Sequence, residues 1–170
     1  MDKSEIRLGV IGTGNIGQAF CKIMLGFGCE VTAFDLIANK EMEALGVRYA
    51  PLIEVIGADI ISLHCPLNEQ TKHIINTETL GYCKKGVTII NTGRGGLLDT
   101  KAVIHALKNG TIGALGLDVY EQEEKLFFKD LSSTIILDDT IQRLMSFSNV
   151  LITGHQGFFT HEALEKIAVT

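Results

Sequence analysis

Three short stretches of this 170-residue chain carry side chains suited to chemistry. Arg94 stands in Asn91-Thr92-Gly93-Arg94-Gly95-Gly96, a glycine-rich loop directly after an apolar run. A guanidinium presents a rigid fork that grips a carboxylate through two parallel hydrogen bonds, a geometry lysine cannot reproduce. The plainer reading is an arginine that lies against a bound molecule or makes a surface ion pair. His155, in Gly154-His155-Gln156, is the side-chain type best suited to exchange a proton near neutral pH, although a lone loop histidine is more often structural. The acidic run Asp118 to Glu124 offers Glu121, Glu123 or Glu124 to orient that imidazole and favour its charged form; its plainer reading is a solvated loop. A cation for a carboxylate, a proton donor for a developing alkoxide and an acid behind the donor are together what hydride transfer to a 2-keto acid requires.

A hydride needs a carrier, and the stretch Arg7 to Gly17 has the form of a site for one. Leu8, Val10 and Ile11 make a short apolar strand that stops at Gly12-Thr13-Gly14-Asn15-Ile16-Gly17, spaced G-x-G-x-x-G. In a dinucleotide site Gly12 permits the tight turn, Gly14 lets backbone approach a pyrophosphate, and Gly17 lets the next helix, Asn15 to Phe27, pack on the strand. Backbone N–H groups of Asn15 and Ile16 at the helix start are the expected anion contact. The spacing alone is a weak signal, since a glycine-rich turn without a ligand has it too. Context strengthens it: a second strand, Glu30 to Phe34, ends in Asp35, about 18 residues past Gly17. A carboxylate there accepts both hydroxyls of an adenosine ribose and repels a 2′-phosphate, which favours NAD over NADP.

The elements that must position these residues alternate along the chain. A short helix at Glu41 to Leu45 closes at Gly46, a third strand runs from Val47 to Tyr49, and Pro51 suits the first position of the next helix. Strands at Asp59 to His64, Val87 to Asn91, Gly113 to Leu117 and Val150 to Thr153 follow, with helices at Thr77 to Cys83, at Thr100 to Asn109 and from about Thr160. Asp99 caps the helix that Gly110 ends. This order predicts an α/β fold, a Rossmann-type doubly wound parallel sheet with helices on both faces. Gly12, Asp35, His64, Thr92, Asp118 and Gly154 all fall just past the C-terminal ends of strands, the edge at which open parallel sheets bind ligands.

Composition bounds the partners. With 46% hydrophobic and 21% charged residues the chain is globular material, and a net charge of −5 leaves no basic footprint for nucleic acid. No apolar run is long enough for a membrane span. Cys21, Cys29, Cys65 and Cys83 lack a paired spacing, no secretory leader is expected before the first strand, and a reducing cytoplasm is the expected location. No metal site is expected.

Taken in order, Val10 to Gly17, Ser62-Leu63-His64-Cys65-Pro66-Leu67, Asn91 to Gly95, Leu117 to Glu121 and Asn149 to His155 resemble the D-isomer specific 2-hydroxyacid dehydrogenases, most closely those of fermentative D-lactate type. The resemblance runs through nearly the whole chain. It implies that Arg94 binds a substrate carboxylate, that His155 is the general acid and base, and that Glu123 is its carboxylate partner, because the family's glutamate lies five residues beyond the aspartate matching Asp118. It further implies that Asp118 holds the nicotinamide carboxamide, that Cys65, Pro66 and Thr71 border the NAD cofactor, that Thr92 and Gly93 line the nicotinamide side, and that Phe158 and Phe159 wall the substrate pocket. His73, His105 and His161 match no catalytic motif and are expected at surface or helix positions. Many members have proline where this chain has Gly154, though some lactate-type relatives share the glycine.

The resemblance also implies a second, substrate-binding domain that residues 1–170 do not include, so the whole stretch is expected to be one NAD-binding domain. Alone it is expected to bind NAD with little or no turnover. Homodimerisation through this domain is expected, with Phe127 to Met145 as the pairing element. The competing expectations are a non-catalytic dinucleotide-binding or dimerisation module, and a dehydrogenase for another D-2-hydroxy acid.

Overall fold

The computed structural model describes residues 6–122, 138–157 and 159–169. Its centre is a sheet of seven parallel strands: β1 (Arg7–Ile11), β2 (Glu30–Phe34), β3 (Arg48–Tyr49), β4 (Ile60–Leu63), β5 (Val87–Asn91), β6 (Ile112–Leu117) and β7 (Val150–Ile152). Their spatial order is β3-β2-β1-β4-β5-β6-β7. The chain order reverses between β1 and β4, and a crevice opens outside the strand ends at such a reversal.

Alternation along β1 shows how the two layers form. Leu8 and Val10 enter one cluster with Cys21, Val31 and Met42, whereas Ile11 enters a larger one with Val55, Ile61, Leu63 and Ile89. Successive side chains of a strand point to opposite faces, so a strand apolar at nearly every position is covered on both. Gly9 shares the second face, and a Cβ there would stand 2.4 Å from the Val55 carbonyl oxygen, so the helix carrying Val55 rests on bare backbone.

The helices are α1 (Asn15–Gly26), α2 (Lys40–Ala44), α3 (Leu52–Ile56), α4 (Thr77–Leu80), α5 (Thr100–Lys108), α6 (Asp139–Met145) and α7 (His161–Val169). Four begin with an Asx side chain that takes up first-turn N–H groups: Asn39, Asn76, Asp99 and Asp138. Pro51 stands one place ahead of its expected position, as the N-cap of α3. The N-cap of α1 is Gly14, which has no side chain to offer. A 3-10 turn at Gly95–Leu97 is an addition to the sequence reading. All seven strands being parallel, the loops after β1, β2, β4, β5, β6 and β7 leave the sheet at one edge.

Candidate functional site

The three glycines of the first loop have separate steric reasons. A Cβ on Gly12, at φ 94°, would meet the backbone of His64 and Cys65 within 2.7 Å, and one on Gly17 would lie 2.1 Å from the Gly12 carbonyl oxygen. Those two glycines let β1, α1 and the loop after β4 touch. Gly14 is different, because a Cβ there would have nothing within 4 Å. It faces an open groove of about 410 Å³ bordered by Ile11, Phe34, Asp35, Leu52, Cys65 and Thr71, among others. An uncapped helix start beside bare backbone and an apolar-sided groove fits a dinucleotide, whose pyrophosphate needs N–H donors and whose base needs a slot.

Asp35 stands at the end of β2 on the groove wall. Its Oδ2 accepts from the Thr13 N–H at 2.6 Å and the Thr13 hydroxyl at 2.8 Å, and its Oδ1 accepts from the Leu36 N–H at 2.7 Å. Burial pushes this carboxyl upward, but the bonds from Thr13, Leu36 and Ile37 together outweigh burial and hold it below its ordinary value of 3.8. The Thr13 hydroxyl in turn accepts from the Tyr49 phenol at 3.0 Å.

The loop after β4 supplies the opposite wall. His64 pairs with the Ser62 hydroxyl at 2.9 Å and packs against the Phe20 ring, and burial holds its imidazole below 6.5. Burial likewise pushes the Cys65 thiol up to about 11, with the charge of Asp35 adding to it, so this groove cysteine is a protonated apolar wall. The Thr71 hydroxyl donates to the Pro66 carbonyl at 2.6 Å and closes that loop on itself.

These shifts predict a two-stage acid response. His64, with a folded pKa below its unfolded 6.5, contributes stability that falls away as pH drops below 6.5 towards its folded value. Asp35, Asp59 (held down first by its bond from Lys84) and Asp118 have folded values below 3.8, so their contribution is full above 3.8 and is lost as pH falls further. Urea midpoints measured from pH 7 to 3 should show both stages, and His64→Gln should flatten only the first; an unchanged first stage in that variant would contradict the assignment.

Arg94 lies exposed after β5 and its guanidinium donates to the Gly93 carbonyl at 2.8 Å. The residue that shapes this loop is Asn91, fully buried, whose amide donates to the Arg94 carbonyl and whose carbonyl accepts from the Gly93 N–H, both at 3.0 Å. Asn91→Leu would leave the Gly93 N–H without this partner and the Arg94 carbonyl with the Leu97 N–H at 3.1 Å, and a stability loss of about 2 kcal/mol by urea denaturation is expected; a loss under about 0.5 kcal/mol would mean that the loop holds itself. Gly95 presses on the next loop, since a Cβ there would lie 2.1 Å from the Tyr120 carbonyl carbon.

After β6, Asp118 is turned towards the β7 loop. Its Oδ1 accepts from the Thr153 hydroxyl and, at 3.0 Å, from the Gln156 N–H, and its Oδ2 accepts from the Gly157 N–H at 3.2 Å. Burial raises its carboxyl, yet these bonds and the attraction of His155 bring it below 3.8. Asp118 thus frames His155, a half-buried residue at φ 52°. Glu121 accepts from His73 at 2.8 Å and from the Thr100 hydroxyl at 3.1 Å, so it braces the loops after β4 and β6 against the start of α5. His73, expected as a mere surface position, also donates its backbone N–H to the Gly96 carbonyl at 2.8 Å. His105 and His161 sit exposed on α5 and α7.

The structure therefore brings Gly12, Gly14, Asn15, Ile16, Gly17, Asp35, Cys65, Pro66, Thr71, Thr92, Gly93, Arg94, Asp118 and His155 to one edge of the sheet. Glu123 and Phe158 lie outside the described residues, as does the part of the expected pairing element from 127 to 137. Among the described residues no group of His, Cys, Asp and Glu side chains is arranged to hold a metal ion, and no helix is long and apolar enough to cross a membrane. Thr13, Tyr49 and Asn91 were given no role by sequence reasoning; an Asn between a strand and a glycine loop was the one available signal.

Residues 2–157 match the family model described as D-isomer specific 2-hydroxyacid dehydrogenase, NAD binding domain. The chain is 52% identical to 2-hydroxyacid dehydrogenase A of Aspergillus oryzae over 162 residues, 95% of this chain and 46% of that protein. It is 49% identical to the D-lactate dehydrogenase of Escherichia coli over 163 residues, 95% of this chain and 50% of that one. Among solved structures, D-lactate dehydrogenase from Aquifex aeolicus, complexed with NAD and lactic acid, superposes with a TM-score of 0.90 at 38% identity, over 98% of this chain and 51% of that one. The chain spans about half the length of the curated relatives it matches.

Proposed function

The chain belongs to the D-isomer specific 2-hydroxyacid dehydrogenases, whose NAD-binding domain it forms, and from that premise we propose that it serves reversible hydride transfer between NADH and a 2-keto acid, pyruvate foremost. NADH, when bound, supplies the hydride. Arg94 grips the substrate carboxylate, His155 gives a proton to the carbonyl oxygen as it gains negative charge, and Glu123 stands behind the imidazole to keep it charged. Backbone of Gly14, Asn15 and Ile16 holds the pyrophosphate, Asp35 meets the ribose, Asp118 meets the nicotinamide amide, and Cys65, Pro66, Thr71, Thr92 and Gly93 line the rest.

The observation that carries this reading is the shared edge: β5 and β7, with only β6 between them, end in the Arg94 and His155 loops, on the side of the sheet where the Gly14 groove opens. Residues 1–170 by themselves bind NADH and turn over pyruvate slowly or not at all, because the substrate half of the cleft comes from the remainder of such an enzyme. The free thiols suit a reducing cytoplasm. Pairing of two copies through this domain, with α6 in the contact, is the proposed assembly; sedimentation that stays monomeric at every concentration would exclude it.

Calorimetric titration with NADH, followed by assays over several 2-keto acids, tests the whole. Binding of NADH is the expected result, and absence of binding would overturn it. Stereospecific pyruvate reduction at an enzyme-like rate by residues 1–170, abolished by His155→Ala, would overturn the claim of low turnover. A preference for a bulkier keto acid would favour a dehydrogenase of another D-2-hydroxy acid, and tight binding without any turnover in longer polypeptides would favour a binding module.

A further inference from the structure

Resting on the reading of the groove as an NAD site, we propose that Tyr49 and Thr13 form a one-way hydrogen-bond relay onto Asp35 that sets the preference for the unphosphorylated dinucleotide. A hydroxyl has a single proton. The Thr13 hydroxyl accepts from the Tyr49 phenol at 3.0 Å and lies 2.8 Å from Asp35 Oδ2, a carboxylate that can only accept. With Tyr49 donating to it, Thr13 commits its own proton to Asp35. The relay spans β3, the β1 loop and the end of β2, and Thr13 in its middle is 5% exposed.

The consequence concerns both the capacity of Asp35 and its freedom to move. A carboxylate has about four lone-pair sites, of which Thr13 takes two on Oδ2 and the Leu36 N–H takes one on Oδ1. The Ile37 N–H also bonds to this carboxylate, so at most one site remains for a ribose hydroxyl, where the residue types alone predict that Asp35 accepts both. A carboxylate fastened at both oxygens cannot swing aside when a 2′-phosphate arrives, so the phosphate meets a fixed negative charge. The cation beside Tyr49 in the chain offers no relief: Arg48 is held by Glu54 at 2.6 Å and by the Thr32 hydroxyl at 3.3 Å. Discrimination therefore comes from immobilising the acid as much as from its presence.

Calorimetric titration of residues 1–170 with NAD and with NADP, for the unchanged chain and for Tyr49→Phe, Thr13→Val and Thr13→Ser, tests this. The unchanged chain should prefer NAD. Thr13→Val should narrow the ratio of the two affinities by about ten-fold, the worth of one charge-assisted bond, and Tyr49→Phe should narrow it by about three-fold, since the Thr13 hydroxyl is then free to turn. Thr13→Ser should restore the ratio, which a purely structural role for the methyl group would not allow. Thermal melts identify any variant that fails to fold, and Tyr49→Phe, which keeps the ring, carries the test should Thr13→Val do so. If the unchanged chain prefers NAD and both variants keep its ratio, the relay is refuted while the NAD reading stands. If the unchanged chain binds neither dinucleotide, the reading and the relay fall together.

Discussion

Gly14→Val is expected to leave a folded chain that no longer binds NADH, with affinity reduced at least about 100-fold, close to 3 kcal/mol. The reason is that Gly14 alone of the three loop glycines faces space. Nothing stands within 4 Å of where its Cβ would go, so the isopropyl group enters the groove and not the protein. The cost to folding is that of a poorer helix N-cap, about 1 kcal/mol. With the pyrophosphate placed as proposed, the cost to binding is larger, because it must come within hydrogen-bond distance of the N–H groups that the new side chain covers. Gly17→Ala makes the opposite control: a single methyl 2.1 Å from the Gly12 carbonyl oxygen must move backbone, and loss of the folded state is expected in place of selective loss of binding. Thermal melts and NADH titration of the two variants separate these outcomes. Gly14→Val that binds NADH like the unchanged chain would remove the pyrophosphate from this loop.

Gly95→Ala is expected to destabilise the chain by about 3 kcal/mol or more, the upper range for forcing extra volume into a packed place. Its Cβ would fall 2.1 Å from the Tyr120 carbonyl carbon and 2.4 Å from the Glu121 nitrogen, both main-chain atoms that no rotamer change can clear. Tyr120 is itself buried and fixed through its phenol, which donates to Asp138 at 2.9 Å. The methyl therefore drives the Arg94 loop and the acidic loop apart, and Glu121 with its His73 and Thr100 partners moves with them. Urea denaturation of Gly95→Ala reads the loss directly. A midpoint within experimental scatter of the unchanged chain would show that the two loops separate freely and that the close packing has no energetic weight.

What the sequence made legible follows from the range of each signal. Strand positions came through because a parallel sheet covered on both faces demands apolar runs between glycines and acids, and each of the seven strands lies within a residue or two of its expected place. The glycine motif came through because backbone contact leaves a mark that spacing can show. Partnerships between distant side chains left no such mark. Tyr49 is 36 residues from Thr13, and nothing in Val47-Arg48-Tyr49 distinguishes a phenol that ends a relay from a strand residue packed on a helix. His73 and Glu121, 48 residues apart, were read singly as a surface histidine and a member of an acidic run, and only the fold makes them a brace. The doubled glycine after Arg94 predicts a loop, and its 3-10 turn lies against the Tyr120 backbone, a contact between separate loops that spacing does not show.

The two non-glycine residues with positive φ, among those described, are both histidines, His73 at 53° and His155 at 52°. For an L-residue that region carries a penalty of roughly 1–2 kcal/mol, which glycine largely escapes. His155→Gly should consequently melt at or above the temperature of the unchanged chain, even though it deletes an imidazole. If the imidazole has the role proposed for it, thermal robustness and reactivity pull in opposite directions at this position, and selection for heat resistance alone would erode it first.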